Sequence, residues 1–281
     1  MITGSNDQKL FNLIIPGAGL QPELNAVSFG EQPQILLVHG ANSTLGVWRL
    51  LMNELSSCGI SSAAVELRGH GGSGGKDDLQ SFGIEDYVDD VLRTLEHFPS
   101  MSVLVGHSMG GLVAQLAAAR KPLAGLILLA SSPVGGMRSD GTRMFLRHPL
   151  RFAGAMWRKS FAHLYRDAAV CRSLLFSRYT PESVIRDFMD SVQEESWRAG
   201  NEMNTLLPDP QAVKCPVLVI GGEDDFMVSA ESVRATAEAY GTEAIFLPRA
   251  GHMVQLEGDP SSLARLIVDF SARVRSENQN A

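Results

Sequence analysis

The stretch Val103-Leu104-Val105-Gly106-His107-Ser108-Met109-Gly110-Gly111-Leu112 constrains this chain more than any other. An apolar run with β-branched valines meets Gly-x-Ser-x-Gly, and an Ala- and Leu-rich segment, Leu112 to Arg120, follows. That order predicts a strand, a sharp turn and a helix. Ser108 would sit at the tip of the turn on strained backbone, which the small neighbours Gly106 and Gly110 make sterically possible. The helix aims its N-terminus at the same point, and its free N–H groups favour an anion forming beside the hydroxyl. A serine nucleophile needs this arrangement, together with a base and an orienting acid. Small residues also surround serines in ordinary turns. The flanking strand and helix distinguish a nucleophile elbow from such a turn.

The rest of the chain repeats the strand-to-helix alternation. Leu10 to Ile15 and Ala26 to Phe29 read as an edge hairpin around Pro16-Gly17-Ala18-Gly19. Gln34 to His39, Ser62 to Leu67, Gly125 to Ala130 and Pro216 to Gly221 are apolar runs of the kind covered on both faces. Between them lie a helical pattern from Leu45 to Leu55, capped by Ser43 or Thr44, and another from Ile84 to Phe98, apolar at 84, 87, 88, 91, 92, 95 and 98. A helix from Ser229 to Tyr240, a strand from Glu243 to Leu247 and a helix from Ser261 to Arg275 complete the order. Such alternation predicts an α/β fold with a mostly parallel sheet and helices on both faces. It lapses between Ser131 and Pro216, where only helical patterns occur: Met144 to Ala155, Trp157 to Ala169 and Pro181 to Trp197. The division expected is a core of residues 1–132 and 213–281 with a helical lid, 133–212, inserted over the carboxyl ends of the strands, where open α/β sheets bind ligands.

A chain of 281 residues with 44% hydrophobic content can bury one large core with such an appendage. The net charge of -7 argues against general nucleic-acid binding. Met1 to Gln8 is polar, and no apolar stretch reaches bilayer-spanning length, so the expected location is cytoplasmic. Cys58, Cys171 and Cys215 are sparse and unpaired by spacing, as reduced thiols are.

The strand ending at Gly221 runs into Gly222-Glu223-Asp224-Asp225, which places acids at the sheet edge where Ser108 also lies. Asp225 is the preferred orienting acid over Asp224; one of the two is expected to be only a capping or solvated carboxylate. His252 follows the strand Glu243 to Leu247 at the same edge and is the only histidine after Asp225. His97, His148 and His163 fall in helical patterns with charged neighbours, and His70 lies in a glycine loop. His107 is expected to point away from the cleft, and His39 to shape the loop after it.

The order Ser108, Asp225, His252 resembles the α/β-hydrolase superfamily. The resemblance rests on His39-Gly40, Arg68-Gly69-His70-Gly71-x-Ser73, Gly106-His107-Ser108-Met109-Gly110-Gly111, Gly222-Glu223-Asp224-Asp225 and Gly251-His252, and spans Gln34 to Arg275. It implies an eight-stranded sheet, a helical lid, a Ser-Asp-His triad needing no cofactor or metal, and oxyanion donors from the backbone N–H groups of Met109 and Ala41. Glu66 stands where many members carry Asp, and Ser229 where many carry Pro. With serine as nucleophile, an ester or thioester is the expected small-molecule substrate; acyl transfer, cyclisation, carbon–carbon cleavage or a non-turnover sensor are the alternatives.

Met144, Phe145, Trp157 and Phe161 are the lid residues expected to line the substrate cleft. Between Met137 and Arg178 the lid carries nine Arg or Lys against Asp140 and Asp167. Such a basic face is that of a solvated lid or of a dock for an acyl-carrier protein or an anionic surface.

Overall fold

The computed structural model describes residues 9–17, 19–100 and 102–279. Its strands are β1 Leu10–Ile15, β2 Leu24–Phe29, β3 Ile35–Val38, β4 Ser62–Val65, β5 Val103–His107, β6 Gly125–Leu129, β7 Val217–Gly222 and β8 Ala244–Leu247. They form one eight-stranded sheet in the order β1-β2-β4-β3-β5-β6-β7-β8. β2 is antiparallel to β1 and β4, and every neighbouring pair from β4 to β8 is parallel. The helices are α1 Arg49–Ser57, α2 Ile84–His97, α3 Met109–Ala118, α4 Arg138–Arg147, α5 Pro149–Arg158, α6 Ala162–Tyr165, α7 Ala168–Leu175, α8 Glu182–Ser191, α9 Trp197–Glu202, α10 Ala230–Ala239 and α11 Pro260–Gln279. The polar start, Met1 to Gln8, and Ala18 of the hairpin turn lie outside the described residues.

Burial follows the patterns that define the elements. All residues of β3, β5 and β6 are buried, because helices cover both sheet faces. β1 instead alternates exposed and half-buried residues, as an edge strand with one wet face does. On α2, Ile84, Tyr87, Val88, Val91 and Leu95 are buried, each such large side chain contributing about 2 kcal/mol on leaving water. No helix among the described residues is long and apolar enough to cross a membrane.

The helix boundaries differ from expectation where the backbone is interrupted. Leu45–Trp48 is a 3₁₀ turn, with Thr44 accepting from Gly46 N, before α1 begins. The expected helix Met144 to Ala155 is broken at His148, since Pro149 cannot continue a helix but can open one, as it does for α5. Lys159, left-handed at φ 51°, ends α5 and divides the second expected helix, leaving α6 and α7 beyond it. The third ends at Ser191, and residues 192–196 run out of the helix before α9.

Candidate active site

Ser108 joins β5 to α3 at φ 53°, ψ -120°, a conformation costing a non-glycine residue about 1–3 kcal/mol. It persists because the surroundings dictate it. Its N–H donates to Leu129 O (3.1 Å), and its carbonyl accepts from Gly111 N (2.9 Å) and Ser132 N (3.0 Å). A Cβ on Gly106 would come within 2.3 Å of Gly110 O, and one on Gly110 within 2.3 Å of His39 O. The elbow therefore closes only with glycine at both places.

His252 bridges the serine and an acid: Nε2 lies 2.9 Å from Ser108 Oγ, and Nδ1 3.0 Å from Asp225 Oδ2. A carboxylate oxygen can only accept, so the hydrogen sits on Nδ1 and leaves the Nε2 lone pair facing the hydroxyl. The other Asp225 oxygen accepts from Met227 N (2.7 Å) and Val228 N (3.0 Å), which fixes the carboxylate. Asp225 and His252 side chains are only 1% and 3% exposed, whereas Asp224 is exposed. The main chain of His252 is held too, its N–H donating to Leu175 O at the end of α7 (2.9 Å).

His107 does not turn away from the site, contrary to expectation. Its ring packs 4.9 Å from that of His252, and Nε2 lies 2.9 Å from His252 O. Burial, then the neighbouring His252, pushes its pKa down to about 3, so a neutral ring donates from Nε2 to that carbonyl. Sequence reasoning missed this support because the residue belongs to the elbow itself.

Ser108, His252 and Ala41 line a cavity of about 820 Å³ together with residues of α4, α5 and α9. Of the expected lid residues, Met144, Phe145 and Phe161 line it; Trp157 does not, being 89% exposed. On α5 the inward face is set by Phe152 and Met156, four residues apart, and the next position turns outward. Trp197 is the tryptophan that lines the cavity, stacked on Phe161 with ring centroids 5.3 Å apart. Met109 is buried and not among the lining residues; as the first residue of α3, its N–H has no carbonyl one turn back to bond. Ser43, 2% exposed, adds to the lining a hydroxyl without a hydrogen-bond partner among the described residues.

The expected basic face is compensated in part, at four of its nine cations. Arg143, Arg151, Arg166 and Arg172 pair with Asp140, Asp167, Glu194 and Glu182. Two of these acids lie beyond Arg178, where the run of cations ends.

Behind Ala41, the next residue is gripped by the segment that leaves α8. Asn42 is left-handed at φ 59° and 2% exposed. Its Nδ2 donates to Gln193 O (2.9 Å), its carbonyl accepts from Gln193 N (3.1 Å), and its N–H faces Glu195 Oε2 at 3.4 Å. Glu195 also accepts from Tyr87 Oη (2.6 Å) and Ser196 N (2.8 Å), and its Oε2 lies 3.2 Å from His70 Nε2. Burial opposes charge on His70, but Glu195 outweighs it and holds the histidine above its ordinary pKa. Burial likewise opposes charge on Glu195, yet His70, Tyr87 and Ser196 hold it below the carboxylate range. His39, 5.2 Å from His70 by ring centroid, is pushed down to about 3 by burial and then by His70, and stays neutral.

These shifts predict a pH signature. The His70 contribution is complete below the ordinary value of 6.5 and lost as pH rises through the raised one; the Glu195 contribution is present above 4.5 and lost as pH falls through the lowered one. Glu195→Gln should therefore lower the thermal midpoint most near about pH 5–6, and less as the medium becomes alkaline. A midpoint difference that stays constant across that range would contradict the ion pair.

Glu66 and Ser229 fit their loops. Glu66 accepts from Asn25 Nδ2 (2.8 Å) and Gly72 N (2.5 Å), and Ser229 caps α10 by accepting from Ser232 N.

Comparison with known proteins agrees with this architecture. The alpha/beta hydrolase family model matches residues 35–266. The chain is 28% identical over 265 residues to 2-(acetamidomethylene)succinate hydrolase of Mesorhizobium japonicum, covering 88% of this chain and 91% of that one. It is 29% identical over 234 residues to the dihydrolipoyllysine-residue acetyltransferase component of the acetoin cleaving system of Pseudomonas putida, covering 79% of this chain but only 59% of that protein's length. A solved thermophilic esterase from Thermogutta terrifontis superposes with a TM-score of 0.71 at 24% identity, over 94% of this chain and 99% of that one. With its match from β3 into α11, the chain belongs to the alpha/beta hydrolase family.

Proposed function

We propose that the protein is a serine hydrolase that cleaves a carboxylic ester or thioester with an apolar acyl group. The observation that carries this reading is the Ser108–His252–Asp225 relay at 2.9 and 3.0 Å opening into an 820 Å³ cavity lined by Met144, Phe145, Phe152, Phe161 and Trp197. Ser108 Oγ attacks the carbonyl carbon as its proton passes to His252 Nε2, and Asp225 stabilises the imidazolium. The N–H groups of Met109 and Ala41 receive the tetrahedral oxyanion, a contribution of about 3–4 kcal/mol per donor in comparable sites. As the intermediate collapses, the carbon–oxygen or carbon–sulfur bond breaks and the leaving group takes the proton from His252. Water then attacks the acyl-enzyme, giving its proton to His252, and Ser108 is released with the acid. Docking of an acyl-carrier protein or anionic surface forms no part of this reading.

Each methylene buried in the cavity should contribute up to about 0.8 kcal/mol to transition-state binding. kcat/KM should therefore climb several-fold per two carbons from acetyl to about octanoyl p-nitrophenyl esters. Measuring the series from acetyl to dodecanoyl checks this, and a maximum at acetyl would reject the apolar-acyl assignment.

A further inference from the structure

The buried groups behind the oxyanion loop are more elaborate than packing requires. Residues 192–196 leave the helical insertion, yet they bond to Asn42 through both its main chain and its side chain. Gln193 reaches further, its Oε1 accepting from Gly71 N at 2.8 Å in the glycine loop after β4. Glu195 is 6% exposed and lines the same cavity as Ser108. An ionised carboxylate so placed, left alone, would repel the oxyanion that forms on the substrate. His70, wholly buried, stands against it and neutralises it, while Tyr87 and Ser196 occupy its other oxygen.

We propose that Glu195 is a positioning residue, which, held by His70 and Tyr87, fixes the Ala41–Asn42 peptide and through it the preceding Gly40–Ala41 unit, so that the Ala41 N–H of that unit points at the oxyanion site. Asn42 is left-handed, a conformation asparagine adopts more readily than other non-glycine residues, and the bonds from Gln193 and Glu195 hold the loop in it. The consequence is a coupling: the oxyanion donor is in place only while the exit of the insertion is seated on the loop. The inference rests on Ser108 being the nucleophile, and its test must separate the two.

Glu195→Gln is the informative variant, because it keeps shape while presenting an amide that cannot accept on both sides. Its kcat for a p-nitrophenyl ester should fall about 10- to 100-fold with KM within about threefold, as expected when a transition-state donor is displaced. Labelling of Ser108 by an organophosphonate should slow by a similar factor, since the phosphonyl oxygen occupies the same site, yet reach the same final extent. Glu195→Asp, which keeps the charge and can approach Asn42 and His70 from a shorter stem, should recover part of the rate. If Glu195→Gln retained wild-type kcat, or raised KM alone, the positioning role would be overturned. It would equally be overturned if labelling ran at the wild-type rate in a smaller fraction of molecules, for then Glu195 serves folding only. If wild-type protein took up no organophosphonate at Ser108, the nucleophile assignment would fail instead, independently of Glu195.

Discussion

Ser108→Ala is expected to lower kcat on the order of 10⁶-fold while leaving the protein folded. The substitution removes a single oxygen that lies 2.9 Å from His252 Nε2 and takes part in no other hydrogen bond of the elbow. The bonds that hold the turn run through the Ser108 main chain and remain available to alanine. In the proposed mechanism the side chain is therefore needed for attack and not for the turn. Residual activity should be that of the oxyanion donors and binding alone. The check is twofold: turnover of a p-nitrophenyl ester, and covalent labelling by an organophosphonate followed by peptide mass analysis. An alanine variant labelled at the wild-type rate would remove Ser108 from the mechanism.

Asp225→Asn should cost about 10⁴-fold in kcat, with far smaller losses from Asp224→Asn. Asp225 Oδ1 already accepts from Met227 N and Val228 N, so an asparagine would keep its carbonyl oxygen there and turn its amide towards His252. The histidine would then present an acceptor at Nδ1 and carry its hydrogen on Nε2, where it cannot take the proton of Ser108. Asp224 is exposed, and its N–H bonds the carbonyl of Ala250 (2.9 Å) whatever its side chain, so its neutralisation touches none of this. Kinetics of the two variants side by side decide the matter; a dead Asp224→Asn beside an active Asp225→Asn would reverse the assignment.

What could be read from the residues was whatever a local pattern encodes. Strands β3 to β7 announce themselves as apolar runs, and the elbow as glycines around a serine between a strand and a helix. Asp225 and His252 could be placed near Ser108 because strand ends in a parallel sheet converge on one edge. The insertion was harder, because its register depends on single interruptions. Pro149 and Lys159 restart the helical phase, and with it the choice between Met156 and Trp157 as the side chain facing inward. Glu195 carried no local signal at all. It sits in Gln193-Glu194-Glu195-Ser196, a polar run that reads as solvated helix, and its partners Asn42, His70 and Tyr87 are more than a hundred residues away. Only the fold brings a buried carboxylate to a histidine of the glycine loop.

The insertion is fastened to each loop that serves Ser108. Leu175 O holds the N–H groups of His252 and Met253; Asp140 takes Ser229 N and Ser232 Oγ, just past the Asp225 loop; Gln193 and Glu195 hold Asn42. Glu257 adds a further tie, accepting from Ser177 N of the insertion and Gly251 N of the histidine loop. A chimaera that borrows residues 138–202 from a relative would strand these groups unless the matching loops travelled with it. Recombination within the family should thus tolerate crossovers in the strands better than at the two ends of this segment.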